Sequence, residues 1–125
     1  MRIYKIVPRN LWELAVVRGE FHGSPVDERD GFIHLSAQDQ VEGTLRLHFV
    51  GQSDLLLIGV DAACLGESLR WEPSRGGLLF PHLFSPLSLR CVVSTDALPL
   101  KSDGNHDFPP WWGLSGGEGP RKSVR

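Results

Sequence analysis

The seven residues Asp54-Leu55-Leu56-Leu57-Ile58-Gly59-Val60 contain no polar side chain after the first. A strand with one wet face alternates polar and apolar residues, so a run without alternation is expected where a strand is buried on both sides. A chain of 125 residues has room for one domain around one hydrophobic core. Leu, Val and Ile are spread along the chain as far as about residue 100, which sets the expected globular domain at 1–100. From 101 to 125 Gly, Pro, Ser and charge dominate. That stretch is expected to be a tail, docked in part at 108–112 through Phe108, Trp111 and Trp112 and otherwise disordered.

The pattern around the apolar run is mixed. Arg2 to Val7 reads as a half-buried strand with Ile3 and Lys5 on one face, Tyr4 and Ile6 on the other. Leu11, Leu14, Ala15 and Val17 have helical spacing after Asn10 as N-cap and before Gly19 as terminator, with Trp12 packed on the sheet. Gly23, Ser24, Pro25, Asp27 and Asp30 make 21–30 an expected irregular loop. Gly31 to Leu35 is a short strand. Ser36 and Asp39 approximate a capping box for a helix from Ala37, closed by Gly51, whose inner face carries Val41, Thr44, Leu45 and His48. Gly43 weakens that helix. After a turn-rich link at 61–68 come a strand at 69–72, a tight turn at 74–77, a strand at 78–84 interrupted at Pro81, and a more regular strand at 87–94. Strands interleaved with two helices, without regular βαβ spacing, indicate an α+β fold of mixed or antiparallel sheets with the helices to the side.

A formal charge of −2 argues against bulk nucleic-acid binding and against an anionic membrane surface, both of which need a basic excess. A local anion site is not excluded by it. No apolar run approaches the roughly 20 residues that span a bilayer, and the start, Met1-Arg2-Ile3-Tyr4-Lys5-Ile6, carries charge where a signal peptide needs apolar residues. A cytoplasmic protein is expected. Cys64 and Cys91 lack C-x-x-C spacing and are expected as two reduced core thiols.

Three segments carry chemistry. His34 alternates with Ile33 and Leu35, and Ser36 follows on the same side. A strand end running into a capped helix places His34, the Ser36 hydroxyl and the N–H groups of 37–39 where an anion can be held; the structural alternative is Ser36 as a plain N-cap and His34 as a satisfied polar residue. In Trp71-Glu72-Pro73-Ser74-Arg75-Gly76-Gly77, the paired glycines allow positive φ and a concave turn of N–H groups. There Arg75 offers a planar fork for phosphate or carboxylate, and Glu72 a base or a hydroxyl acceptor. The alternative is a hairpin turn with Arg and Glu paired. In Phe80-Pro81-His82-Leu83, the proline aims a histidine that needs a polar partner in an apolar stretch. His34, His48, His82 and Glu72 lack metal-ligand spacing, so no metal is expected. No G-x-S-x-G elbow is present for a serine hydrolase.

Asp30-Gly31-Phe32-Ile33-His34-Leu35-Ser36, the Trp71 to Gly77 segment and Phe80-Pro81-His82-Leu83 together resemble the family named domain of unknown function 952. Ile3-Tyr4-Lys5-Ile6 with Trp12, and Asp54 to Asp61, fit the same pattern in order, over about residues 1–110. That family is grouped with the ADP-ribosyltransferase-like fold, and the His-Leu-Ser run, helix and apolar strand ending in Asp are similar to the RNA 2′-phosphotransferases. The resemblance implies a cleft for NAD or an ADP-ribosylated intermediate, with NAD as a substrate rather than a resident cofactor. His34 and Ser36 would line the nicotinamide–ribose end, and Glu72 or His82 would contact the ribose. The implied chemistry is cleavage at the nicotinamide–ribose bond through an oxocarbenium-like state. Phe84 stands where the pattern usually has Tyr, and Lys5 where many members have His. The expected site is therefore His34, Glu72 and His82 as catalytic groups, with Ser36, Ser74, Arg75, Gly76 and Tyr4 binding a nucleotide or anion. The rival expectation is a non-enzymatic module that binds a small ligand or a protein.

Overall fold

The computed structural model describes residues 1–113. Its centre is the apolar run, which forms β5 (Leu55–Asp61), buried from Leu55 to Val60. β5 lies between β1 (Arg2–Pro8) and β9 (Val92–Leu98), and β4 (Ser36–Ala37) completes a four-stranded antiparallel sheet in the order β4-β1-β5-β9. β1 alternates as its sequence indicates, but both of its faces are buried from Ile3 to Ile6, so it is not a half-exposed strand.

A sheet covered on both sides divides the expected single core into two. On one face Ile3, Val7, Leu56, Ile58 and Val60 pack with Trp12, Ala15, Phe21, Ile33, Leu35, Leu83 and Leu87. On the other, Tyr4, Ile6, Leu55, Leu57 and Leu98 pack with Val41, Leu45 and Trp112. The first cluster is closed by α1 (Arg9–Arg18) and by a second sheet of β3 (Ile33–His34), β7 (Leu79–Leu83) and β6 (Leu69–Pro73), in the order β3-β7-β6. The second is closed by α3 (Val41–His48) and by Phe108, Trp111 and Trp112; the two tryptophan rings lie against Tyr4, and Phe108 stacks on Trp112. His106, on the way there, is buried with Nε2 2.7 Å from the Gln52 carbonyl. The disorder expected further along concerns residues 114–125, which lie outside the described residues.

Among the described residues every strand pairing is antiparallel, giving an α+β fold. Several local expectations need correction. Segment 21–30 is not an irregular loop: it holds β2 (Glu20–Phe21), paired to β8 (Leu87–Ser88), and α2 (Pro25–Asp30). Ser24 and Asp27 form a capping box with Pro25 at the first helical position, so the polar residues that resemble a loop build a helix start. With α4 (Ala62–Leu65), the described residues hold four helices where two were expected. α1 starts at Arg9 with no side-chain cap, so Asn10 is inside it, and Gly19 ends it in the left-handed region. α3 begins only at Val41, after a 3-10 turn at Gln38–Gln40, and ends at His48 before Gly51. The expected strand at 87–94 is broken at Leu89–Cys91 by another 3-10 turn, because β8 serves β2 while β9 serves β5. Pro81 does not interrupt β7. Its carbonyl accepts from Leu35 N–H at 3.0 Å, at the rung where the 33–37 segment leaves β7 to join β1, so the missing proline N–H is tolerated there.

Gly59 faces Tyr4 across the β5–β1 ladder, and a Cβ there would run into Ser94 Oγ and lie 3.4 Å from the Tyr4 ring. Among the described residues no helix is long and apolar enough to cross a membrane.

The cysteines are not two reduced core thiols. Cys64, on α4, is exposed, and it is joined by a disulfide to the buried Cys91 with a Cα–Cα distance of 5.5 Å. The spacing of 27 residues gave no sign of this because the contact depends on α4 docking on the Leu89–Cys91 turn. A crosslink closing a loop of this length is expected to contribute about 3–4 kcal/mol. Urea unfolding of the oxidised protein should therefore show a midpoint well above that of the reduced protein or of Cys64→Ser. Coincident transitions would contradict it.

Candidate functional site

The segment 33–37 belongs to two sheets. Up to His34 it pairs with β7, with His34 directly opposite His82. From Ser36 it pairs with β1, with Ser36 opposite Tyr4. Beyond Tyr4 that edge of β1 loses its neighbour, and the sheets diverge around a cleft of about 590 Å³. Its walls are the edge of β1 with Tyr4, Lys5 and Ile6, α2 with Val26, Arg29 and Asp30, α3 with Thr44 and His48 followed by Phe49, and the β6–β7 hairpin with Ser74, Arg75, Phe80 and His82.

Lys5 is drawn into the split. Its Nζ donates to the His34 carbonyl at 3.0 Å and to Asp27 at 2.9–3.1 Å, and both side chains are almost wholly buried. Asp27 also accepts from Ser24 N–H at 2.8 Å, Ser24 Oγ at 3.0 Å, His34 N–H at 3.0 Å and His34 Nδ1 at 2.7 Å. Burial would raise the Asp27 carboxyl, but the His34 hydrogen bond, the Lys5 charge and the two backbone N–H groups overcome it and hold Asp27 well below the usual carboxylate range. Burial pulls Lys5 below the usual lysine range, and Asp27 opposes that.

An ionised carboxylate only accepts, so Asp27 obliges the Nδ1 of His34 to carry a proton. Nε2 of His34 lies 2.9 Å from Asp30 Oδ2, with about a third of each side chain exposed. His82 is held by a carboxylate at one nitrogen only: its Nδ1 is 2.8 Å from Glu72 Oε1, and its Nε2 has no partner among the described residues. The two imidazoles meet edge to face with centroids 5.7 Å apart, and Phe32 lies against both at 4.6 and 4.1 Å. Two histidines, each held at Nδ1 by a carboxylate and His34 at Nε2 as well, thus stand side by side on the cleft wall. That arrangement can orient a hydroxyl or move a proton at Nε2.

Of the expected residues, His34, His82, Ser36, Ser74, Arg75 and Tyr4 line this cleft. Glu72 does not line it and acts on it through His82. Gly76 does not line it either, and the turn it belongs to spends Ser74, Gly77 and Leu78 N–H groups inside the hairpin, so no concave turn of free donors is offered. Ser36 is not an N-cap. Ala37 N–H is taken by Gln40 Oε1 at 2.9 Å, and the Ser36 hydroxyl lies 3.3 Å from Thr44 Oγ1. His48 is exposed at the cleft rather than core-facing. Lys5 is a buried structural cation, and Phe84 sits outside the cleft against Phe32 and beneath Arg70. Asp27, Asp30 and Thr44 are functional candidates that residue spacing alone does not single out; the Ser24-Pro25-x-Asp27 capping signal was the one legible trace of Asp27. Among the described residues no cluster of three or more His, Cys, Asp or Glu could hold a metal.

A family model described as protein of unknown function (DUF952) matches residues 6–95, more than half of the chain. No curated protein matches. The crystal structure of protein CC0527 from Caulobacter crescentus is 48% identical and has a TM-score of 0.83, with 86% of this chain and 94% of that one covered. The solution NMR structure of the same Caulobacter protein is 46% identical with a TM-score of 0.76, covering 90% of this chain and 95% of that one.

The buried pair has a measurable signature. Asp27 is depressed in the folded state, so its contribution is fully present above the unfolded carboxylate pKa of about 4 and is lost as pH falls from there towards the folded value. Asp27→Asn should leave Lys5 buried without a countercharge, costing about 3–5 kcal/mol at neutral pH, and should flatten the loss of stability below pH 4. Chemical denaturation at stepped pH checks both. An acid limb as steep in the variant as in the wild type would contradict the assignment.

Proposed function

The chain belongs to the domain of unknown function 952 family, and on that premise, which brings no activity with it, we propose that the cleft binds a nucleotide and that His34 and His82 act on it at a sugar carbon. The observation that carries this reading is the rung pairing of His34 with His82, each imidazole held at Nδ1 by a carboxylate beside a shared hollow. The volume of about 590 Å³ falls in the range of small-molecule sites, and walls that are mainly apolar with a few convergent polar groups suit a base and sugar.

NAD, or an ADP-ribosyl or phosphate ester, is the substrate class we infer, in keeping with the grouping of the family with the ADP-ribosyltransferase-like fold. In the proposed reaction the bond between ribose C1 and the nicotinamide nitrogen breaks, and its electron pair leaves with nicotinamide. The oxocarbenium-like ribose is then attacked by water or an alcohol. The proton lost by that acceptor goes to His82 Nε2. His34 orients a ribose hydroxyl, which competes with Asp30 for Nε2. Orientation and electrostatic stabilisation are the protein's contribution.

A second reading is supported by Asp27 taking both the backbone N–H and the ring of His34. There the histidines build a stable pocket in a non-enzymatic binding module, and each replacement by Ala costs about 1–3 kcal/mol as a lost buried hydrogen bond.

Calorimetric titration with NAD, ADP-ribose and nicotinamide tests the nucleotide reading, and at least one of the three should release or absorb heat on binding. No heat from any, with folded protein, ends the NAD version. His82→Ala should leave binding largely intact while abolishing release of nicotinamide. Release at the wild-type rate would remove His82 from the reaction, and binding without release by either protein would favour the module instead.

A further inference from the structure

One cation at the cleft is left without a countercharge. Lys5 is answered by Asp27, and Arg29 by Asp30, while Asp27, Asp30 and Glu72 also occupy the histidines. Arg75 has no carboxylate partner among the described residues. Its guanidinium is nevertheless held in place. Nη1 donates to Thr44 Oγ1 at 3.2 Å, and Phe80 covers one face with Cζ 4.8 Å from the ring centroid. Gly43 lets the group lie against α3, because a Cβ at that position would be only 3.1 Å from Nη2. A half-buried guanidinium whose plane is fixed, and whose other N–H groups have no protein acceptor among the described residues, is suited to forked recognition of a phosphate.

The neighbouring hydroxyls brace the guanidinium instead of facing a phosphate. Thr44 Oγ1 donates to the Gln40 carbonyl at 3.1 Å, so towards Ser36 Oγ, at 3.3 Å, it acts as acceptor. The contacts of Arg75 with Thr44 and of Thr44 with Ser36 therefore lead from the cation to the 33–37 segment that carries His34. Ser36 and His34 lie two residues apart along the 33–37 segment and both line the cleft, a step of about 6.6 Å for extended chain. One pentose bridges such a step between its 5-phosphate and its anomeric carbon.

We propose that Arg75, held in place by Thr44 and Phe80, is the phosphate subsite for a 5-phosphorylated pentose, whose anomeric carbon then falls at His34 and His82. This rests on the nucleotide reading above and adds which end of the ligand lies where. It also accounts for Gly43, which weakens α3 by its poor helix propensity but leaves the guanidinium its place.

The test titrates the full chain with ribose 5-phosphate, inorganic phosphate and ribose, following backbone amide shifts, in wild type, Arg75→Gln and Gly43→Ala. Ribose 5-phosphate is expected to bind about tenfold or more tightly than inorganic phosphate and to shift amides near both Arg75 and His34, with ribose silent. Arg75→Gln should weaken ribose 5-phosphate about tenfold or more, the usual loss for charge-assisted hydrogen bonds. Gly43→Ala should melt no lower than wild type yet bind ribose 5-phosphate several-fold more weakly. Equal affinity for ribose 5-phosphate in wild type and Arg75→Gln overturns the assignment, as does ribose 5-phosphate binding no better than inorganic phosphate. Should NAD bind unchanged to Arg75→Gln, the nucleotide reading stands and the phosphate assignment falls. Arg75-dependent binding of ribose 5-phosphate by a protein that ignores NAD gives the reverse.

Discussion

The ion pair between Lys5 and Asp27 is the contact on which the rest of the architecture turns. It lies where the 33–37 segment passes from one sheet to the other, and a backbone changing partners there would leave polar groups unpaired in a dry interior. Lys5 answers the His34 carbonyl and Asp27 answers the His34 N–H, so the crossing is satisfied by side chains instead of by a third strand. A buried pair of this kind contributes little net stability relative to an apolar packing of the same shape. What it decides is position: α2 can dock against β1 only where its carboxylate reaches the ammonium.

The same contact shapes the site. Asp27 orients His34, and the antiparallel ladder to β7 then sets His82 opposite it. Glu72 reaches His82 from β6, diagonally across the sheet. The small sheet therefore has two unlike sides. Ile33, Leu35 and Leu83 are buried in the core, and Trp71 is packed against it. Phe32, His34 and His82 gather on the other side. Core packing on one side is what makes the polar side rigid enough to hold two imidazoles at a fixed separation.

Much of this was legible one element at a time. The unalternated run at 54–60 specified the central strand, and the alternation around His34 placed it apart from Ile33 and Leu35. Legibility failed where one local signal fits two outcomes. Ser24, Pro25 and Asp27 are turn residues by composition, yet in this order they open a helix. Ser36 followed by Asp39 resembles a cap, but Gln40 takes that role and frees the Ser36 hydroxyl for Thr44. His48 has core spacing on α3, but the wall it faces is the cleft.

The sequence by itself determined which residues alternate, which segments must be buried, and that His82 would need a partner, because these follow from side-chain chemistry and the two-residue period of a strand. Only the tertiary structure decided who the partners are. Asp27 for Lys5, Thr44 for Arg75 and Cys91 for Cys64 lie 22, 31 and 27 residues away along the chain. Pairings of that range depend on strand register and on how helices dock, and no local pattern encodes either.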